Sequence, residues 1–151
     1  MMSGNIEVPQ ASSCAFCDYL NGTRPYTILD RDDLSATLVT REQRGVSHVL
    51  VVPVRHCETI LDLATHEARA LMLRVISASR AIDEADARPG IAVWQNNGVP
   101  ADQKIPHVHF HVAGTLPGGG TNHRQVRELS ISETELIAER LRLFLRKAPH
   151  D

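Results

Sequence analysis

Short mixed runs of apolar and polar residues at 27–30 and 34–40 read as two strands joined by a turn at 31–33, where aspartates favour turning. The longest strictly apolar run, Val49 to Val54, is interrupted in character only by Pro53 and is rich in Val, so 48–54 is predicted to be a buried strand. Between 62 and 85 the period changes. Leu61, Ala64, Ala68, Leu71, Met72, Val75, Ser79 and Ile82 recur every three or four residues, the mark of a helix, and Arg88-Pro89-Gly90 ends it. Two more short strands follow, at 91–95 and from Pro106 through 107–113, separated by the turn signal Asn96-Asn97-Gly98. Ser132-Glu133-Thr134-Glu135 reads as a capping box that opens a second helix running to about Lys147. This order predicts an α+β fold, an antiparallel sheet with helices laid on it.

The length of 151 residues fits one domain, predicted over 14–148 behind a polar, flexible tail at 1–13. Sixteen Lys plus Arg against eighteen Asp plus Glu give a net charge of −2, which speaks against a nucleic-acid coat. The densest basic supply, Arg124, Arg127, Arg140, Arg142, Arg146 and Lys147, is interspersed with Glu like a solvated helix face. No apolar run approaches the roughly 18 residues of a membrane span, and residues 1–13 lack the basic and apolar regions of a signal peptide. Three cysteines without an export signal read as reduced thiols or metal ligands in a cytoplasmic protein.

The sharpest chemistry is His107-Val108-His109-Phe110-His111-Val112. On a strand, alternate side chains share a face. The three imidazoles therefore line one side, while Val108, Phe110 and Val112 anchor the other in the core. Near neutral pH an imidazole can act as nucleophile, acid, base or metal ligand. Cys14-x-x-Cys17 is a chelating pair, for which zinc, a redox motif and two plain reduced thiols are the readings the spacing allows. Trp94, on an alternating strand, reads as a packed core residue. Gly118–Gly120 with His123 and Arg124 reads as a surface loop, with a lid over the site as the alternative.

These residues together resemble the histidine-triad (HIT) superfamily of nucleotide hydrolases and transferases. Pro106 to Ala113 is similar to its His-x-His-x-His signature, and His48-Val49-Leu50-Val51-Val52-Pro53-Val54-Arg55-His56 to its His-x-Leu-Val-x-Pro-x-x-His strand. Gln95-Asn96-Asn97-Gly98 and Gln103 match the turn and glutamine before the triad, and Cys14/Cys17 the zinc-binding bacterial members. The resemblance implies a HIT-like fold of five antiparallel strands and two helices, in a homodimer. It also implies that His109 attacks the α-phosphorus of a nucleotide phosphoramidate or dinucleoside polyphosphate, forming a covalent nucleotidyl-histidine that water hydrolyses. By the same resemblance, the His107 carbonyl holds the second nitrogen of His109, His111 assists the leaving group and His48 supports the row. Asn96 and Gln103 are expected to hydrogen-bond phosphate. His56 and His107 would complete a structural zinc site with Cys14 and Cys17.

The sequence departs from the family pattern in two places. Thr40 stands where the family commonly has an Asp that holds the ribose, and Asp102-Gln103-Lys104 replaces a Gly-Gln pair followed by a small hydroxyl residue. Asp102 near a phosphate would repel it and Lys104 would compensate. The alternatives are a nucleotidyltransferase with an acceptor other than water, or a nucleotide-binding regulatory protein without turnover.

Overall fold

A computed structural model describes residues 4–145. Five strands, β1 (Ile28–Arg31), β2 (Ser35–Val39), β3 (Val46–Pro53), β4 (Ile91–Gln95) and β5 (Phe110–Gly114), form one sheet in the order β1-β2-β3-β5-β4. Every neighbouring pair is antiparallel. Three helices accompany it: α1 (Ala15–Asn21), α2 (Thr65–Asp86) and α3 (Ile131–Arg142). The fold is the predicted α+β sheet with one more helix than expected. Helix α1 is short: Cys14 Sγ caps it by accepting from Cys17 N at 3.3 Å, and Gly22, at φ 82°, ends it.

The sheet is covered on both faces, so β2 and β3 are buried along nearly their whole length, Ser35, Thr37, Ser47 and His48 included. Val39, Val49, Val51, Val108 and Val112 pack with Leu71, Val75, Ala78 and Ile82 of α2 and with Ala138 and Leu141 of α3. Ala36, Leu38, Leu50 and Val52 point the other way, against Phe16 of α1. Cys57 is buried in the first of these clusters.

Three boundaries differ from expectation. The predicted helix from 62 is divided into a 3₁₀ turn, Ile60–Asp62, and α2 proper; Met72 and Leu61, expected on the buried stripe, are 47% and 66% exposed. Helix α3 starts two residues earlier, because the capping box is Ser130/Glu133: Ser130 Oγ accepts from Glu133 N and the Glu133 carboxylate accepts from Ser130 N, both at 3.1 Å. That frame buries Thr134 against Thr27, whose hydroxyls lie 2.6 Å apart. The helix also ends at Arg142, five residues short of the expected end near Lys147, with a turn at Leu143–Phe144 in its place; Arg146 and Lys147 themselves lie outside the described residues.

The third difference concerns the triad itself. Strand β5 starts at Phe110, so His107 and His109 precede it. The register pairs Val51 with Phe110, which would set Val108 opposite Pro53. Proline has no N–H to offer. Val108 N donates instead to Cys57 O at 2.8 Å, and the ladder ends. At the far end of β3, the register slips by one residue between Val46 and Val49, where Ser47 takes φ 54°. Such a bulge re-aims a side chain, and here the residue re-aimed is His48. The segment preceding α1 lies along the 98–101 turn: Val99 N donates to Glu7 O at 2.7 Å.

Candidate active site

The peptide leading into the triad is held by Gln103, which is 2% exposed. Its Oε1 accepts from Gly98 N at 2.7 Å, and its Nε2 donates to Glu58 O at 2.8 Å and Ile105 O at 2.9 Å. His107 follows, fully buried, and its Nε2–H donates to Pro53 O at 2.8 Å. The lone pair of His107 is thereby placed on Nδ1. The His107 carbonyl in turn accepts from His109 Nδ1 at 2.7 Å. This bond puts the ring proton of His109 on Nδ1 and leaves Nε2 bare, the form a nucleophile requires. Phe16 and His111 close on the His109 ring edge to face, each with its centroid 5.0 Å away.

His111 is held differently. Trp94, opposite it in the ladder, stacks on its ring at 4.6 Å and 3°. His111 Nδ1 lies 3.0 Å from His48 Nε2. His48 Nδ1 is 3.1 Å from both Arg44 N and Glu42 O, which ask for opposite tautomers. A backbone N–H can only donate, whereas the carbonyl of exposed Glu42 has water as an alternative. The proton of His48 then sits on Nε2 and is donated to His111, whose own proton moves to its outer Nε2.

Burial keeps the whole row neutral. It pulls His48 down to about 3, with Arg44, His109 and His123 adding to the effect against the Glu42 carbonyl. His111 falls to about 2 through burial and then the charges of His109, His48, Arg44 and His123. His107 falls to about 4, burial outweighing its bond to Pro53, and His109 is lowered by burial as well. Near pH 7 all four rings are uncharged bases.

Cys14, Cys17, His56 and His107 bring their ligand atoms within 4.8 Å of one another. His107 Nδ1 is 3.2 Å from Cys14 Sγ, 3.7 Å from Cys17 Sγ and 3.2 Å from His56 Nδ1, and Cys17 Sγ is 3.5 Å from His56 Nδ1. A tetrahedron built on metal–sulfur bonds of about 2.3 Å and metal–nitrogen bonds of about 2.0–2.1 Å has edges of about 3.3–3.8 Å. Four of the six separations therefore fall near the edges of a tetrahedral metal site, and all six lie within 4.8 Å. Burial and the adjoining Cys14 push the Cys17 thiol up to about 12, a cost that a cation between the sulfurs reverses.

The residues expected to bind substrate are less concentrated. Thr40 is buried, its Oγ1 accepting from Glu42 N at 3.1 Å. Asn96 Nδ2 donates to Ala101 O at 2.8 Å. The Nε2 donors of Gln103 are given to backbone carbonyls, so its amide holds the loop and has no N–H left for a phosphate. Lys104 points outward, 82% exposed, with its Nζ 3.9 Å from Asp102, which is itself 86% exposed. The repulsion expected of Asp102 is thus spent in solvent. Asp102 has φ 66°, which accounts for a glycine at this place in the family pattern. Trp94 corrects its expected place in the core: it stands half-buried on an edge strand, against His111. Phe16 and Arg44 went unnoticed in the sequence because Phe16 fills an unspecified position of Cys14-x-x-Cys17 and Arg44 lies in a charged loop. Only the register of β4 on β5 could have pointed to Trp94.

A family model for the HIT domain matches residues 21–117. Among curated proteins, the chain is 30% identical over 100 residues to the adenosine 5'-monophosphoramidase hnt1 of Schizosaccharomyces pombe, covering 66% of this chain and 72% of that one. Among solved structures it superposes on a Hit-like protein from Bartonella henselae with a TM-score of 0.83 and 21% identity, over 90% of this chain and 98% of the other. A zinc-bound histidine triad family protein from Mycobacterium smegmatis follows at a TM-score of 0.72 and 24% identity, over 85% and 93%.

Proposed function

Since the chain belongs to the HIT domain family, we propose that it is a nucleotide-binding hydrolase that cleaves a nucleotidyl bond at the α-phosphorus through a covalent intermediate on His109. The observation that carries this reading is the 2.7 Å bond from His109 Nδ1 to the His107 carbonyl, which bares Nε2 in a site where burial keeps the ring uncharged. His109 Nε2 forms the bond to phosphorus as the bond to the leaving group breaks, and the carbonyl stabilises the charge that develops on the ring. The Nε2–H of His111, oriented through His48 and Trp94, hydrogen-bonds the departing atom. Water then cleaves the phosphorus–nitrogen bond and releases a nucleoside monophosphate. Asn96 and Gln103 shape the loop facing the phosphates, and the Thr40 hydroxyl offers a neutral contact to the nucleoside. The name of the fission-yeast relative, an adenosine 5'-monophosphoramidase, supports a phosphoramidate or another adenylyl compound as substrate.

Zinc is the metal that the two thiols and two imidazoles favour, and with four protein ligands its role is structural: it ties α1 to the peptide carrying the nucleophile. The zinc-bound Mycobacterium smegmatis protein supports the same reading. A homodimer fits the free edge of β4, where Val93 is 47% exposed. The free cysteines fit a cytoplasmic location, and no helix among the described residues is long and apolar enough to cross a membrane.

Intact-mass spectrometry after mixing the protein with nucleoside phosphoramidates and dinucleoside polyphosphates tests the proposal. The expected result is a nucleoside-monophosphate adduct that disappears in His109→Ala. Absence of both adduct and monophosphate release would move the reading to a silent nucleotide-binding protein.

A further inference from the structure

Three consecutive residues beyond β3 grip the peptide that carries the triad. His56 Nδ1 lies 3.2 Å from His107 Nδ1, Cys57 O accepts from Val108 N at 2.8 Å, and Glu58 O accepts from Gln103 Nε2 at 2.8 Å. These contacts fix the run whose carbonyl, at His107, holds Nδ1 of His109. Yet residues 56–58 lie outside the sheet. The β2–β3 ladder stops at Pro53 and the β3–β5 ladder at Val51, and Val54 N donates to Leu34 O at 2.9 Å as the last link to β2. Their own placement therefore comes from something other than strand pairing.

Arg55 ties this loop to α2. Its Nε donates to Glu67 Oε2 at 2.8 Å and its Nη2 to Glu67 Oε1 at 2.7 Å, the two-bond fork of a guanidinium on a carboxylate. Nη2 also donates to Asp62 O at 2.8 Å. Glu67 stands in the first turn of α2 and is buried; its Oε1 accepts from Ala64 N at 2.9 Å as well. Capping the helix occupies one oxygen, and the other goes to Arg55. Leu71, one turn further on, is set in the core, so the carboxylate has a rigid base, and Cys57 is buried in the same cluster. The Arg55 side chain is 53% exposed, so the pair adds little stability of its own; what a two-bond fork fixes is direction.

We propose that Arg55 and Glu67 are positioning residues for the metal site and, through it, for His109. The fork holds the loop where His56 can share a metal with His107 and where Cys57 O meets Val108 N. Neither side chain touches metal or substrate. Without the fork the loop moves off, His56 recedes from His107, and the carbonyl that orients His109 loses its fixed place. This rests on the zinc and hydrolase readings above, and the test reads the two separately.

The full chain loaded with zinc is challenged with a chromophoric chelator, which reports metal affinity without turnover. Arg55→Gln and Glu67→Gln should each weaken zinc binding about tenfold, the low end for residues that orient a metal ligand. The double variant should weaken it no further than the worse single one, because both remove the same fork. Arg55→Lys keeps the charge without the fork and should lose nearly as much. With adenosine 5'-phosphoramidate, kcat should fall about fivefold in each variant while KM stays within about twofold, the split expected of a residue that orients without binding. Arg74→Gln is the control. It breaks ion pairs of the same kind, from α2 to Asp30 at 2.7 Å and Asp32 at 2.9 Å, and should leave zinc affinity and kcat within about twofold. Thermal melts establish that each variant is folded, and the two Arg55 variants carry the test if the buried Glu67 does not tolerate exchange. Unchanged zinc affinity or kcat in the Arg55 variants, additive losses in the double variant, or an equal loss in Arg74→Gln would each overturn the proposal. A wild type that holds no zinc would overturn the zinc reading and the positioning role with it. Weakened zinc binding in variants of a protein that forms no nucleotidyl adduct would uphold the positioning of His56 and overturn the hydrolase reading instead.

Discussion

His107 and His111 lie equally far along the chain from His109, yet the fold uses them for opposite purposes. His107 is sealed: one nitrogen donates to Pro53 O and the other faces two thiols and His56. It communicates with His109 through its backbone carbonyl, not its ring. His111 keeps its ring in play, with one nitrogen on His48, one face on Trp94 and the outer nitrogen free to donate. Identical side chains in identical spacing thus become a fixed post and a ring with a free donor. What separates them is the partner each ring is given by the neighbouring elements.

His109 between them, the nucleophile of the proposed mechanism, sets the scale for testing this contrast. His109→Ala should reduce kcat by about 10³-fold or more and abolish the adduct in single-turnover mass spectrometry. His111→Asn should lower kcat about 10²-fold while moving Tm by no more than about 3 °C, as loss of a general acid does. Cys14→Ser should do the reverse. It should remove the metal, read by elemental analysis, and lower Tm by about 5–10 °C, because it strips the anchor from the peptide bearing His107. A Cys14 variant that lost rate but no stability would erase the distinction between the two ends.

A subtler test uses pH. The folded protein refuses a proton at His48 until about pH 3, whereas the unfolded chain accepts one near pH 6.5. The stability from neutral His48 is fully present above about 6.5 and is lost as pH falls toward about 3. His48→Gln should flatten that part of the Tm–pH curve relative to wild type, a comparison in which metal loss at low pH cancels. The smallest effect belongs to a residue outside both ends. Asp102→Gly relieves a φ of 66° on an exposed turn and should raise Tm by about 1–2 °C without changing kcat.

Much of the site was legible in the sequence, because its chemistry is local. The alternation of His107, His109 and His111 with Val108, Phe110 and Val112 forces one polar and one apolar side whether or not the ladder reaches residue 107. The Cys14-x-x-Cys17 spacing pairs two thiols in a group that could hold a metal ion, and the Val-rich run at 49–54 makes a buried strand. What stayed hidden depends on pairing. Trp94 looked like a core residue because nothing in its neighbours says that β4 is an edge or that residue 94 falls opposite 111. Ser130 and Ser132 both open plausible helix frames, and only burial of Thr134 on Thr27 chose the first. Gln103 was read as a phosphate donor from its place in a motif, but its amide found three backbone partners nearer.

By itself, then, the sequence determined which groups this protein has for chemistry and which faces they share, since side-chain type and backbone period are properties of adjacent residues. The tertiary structure alone decided what each group is for. The lone-pair position on the His107 ring and the hydrogen-bonded partner of the His111 ring are set by Pro53, His48, Arg44 and Trp94, residues that reach the triad only through strand register and a one-residue bulge. Proton positions follow from contacts about 3 Å long, and no spacing along the chain encodes those contacts until the sheet has closed.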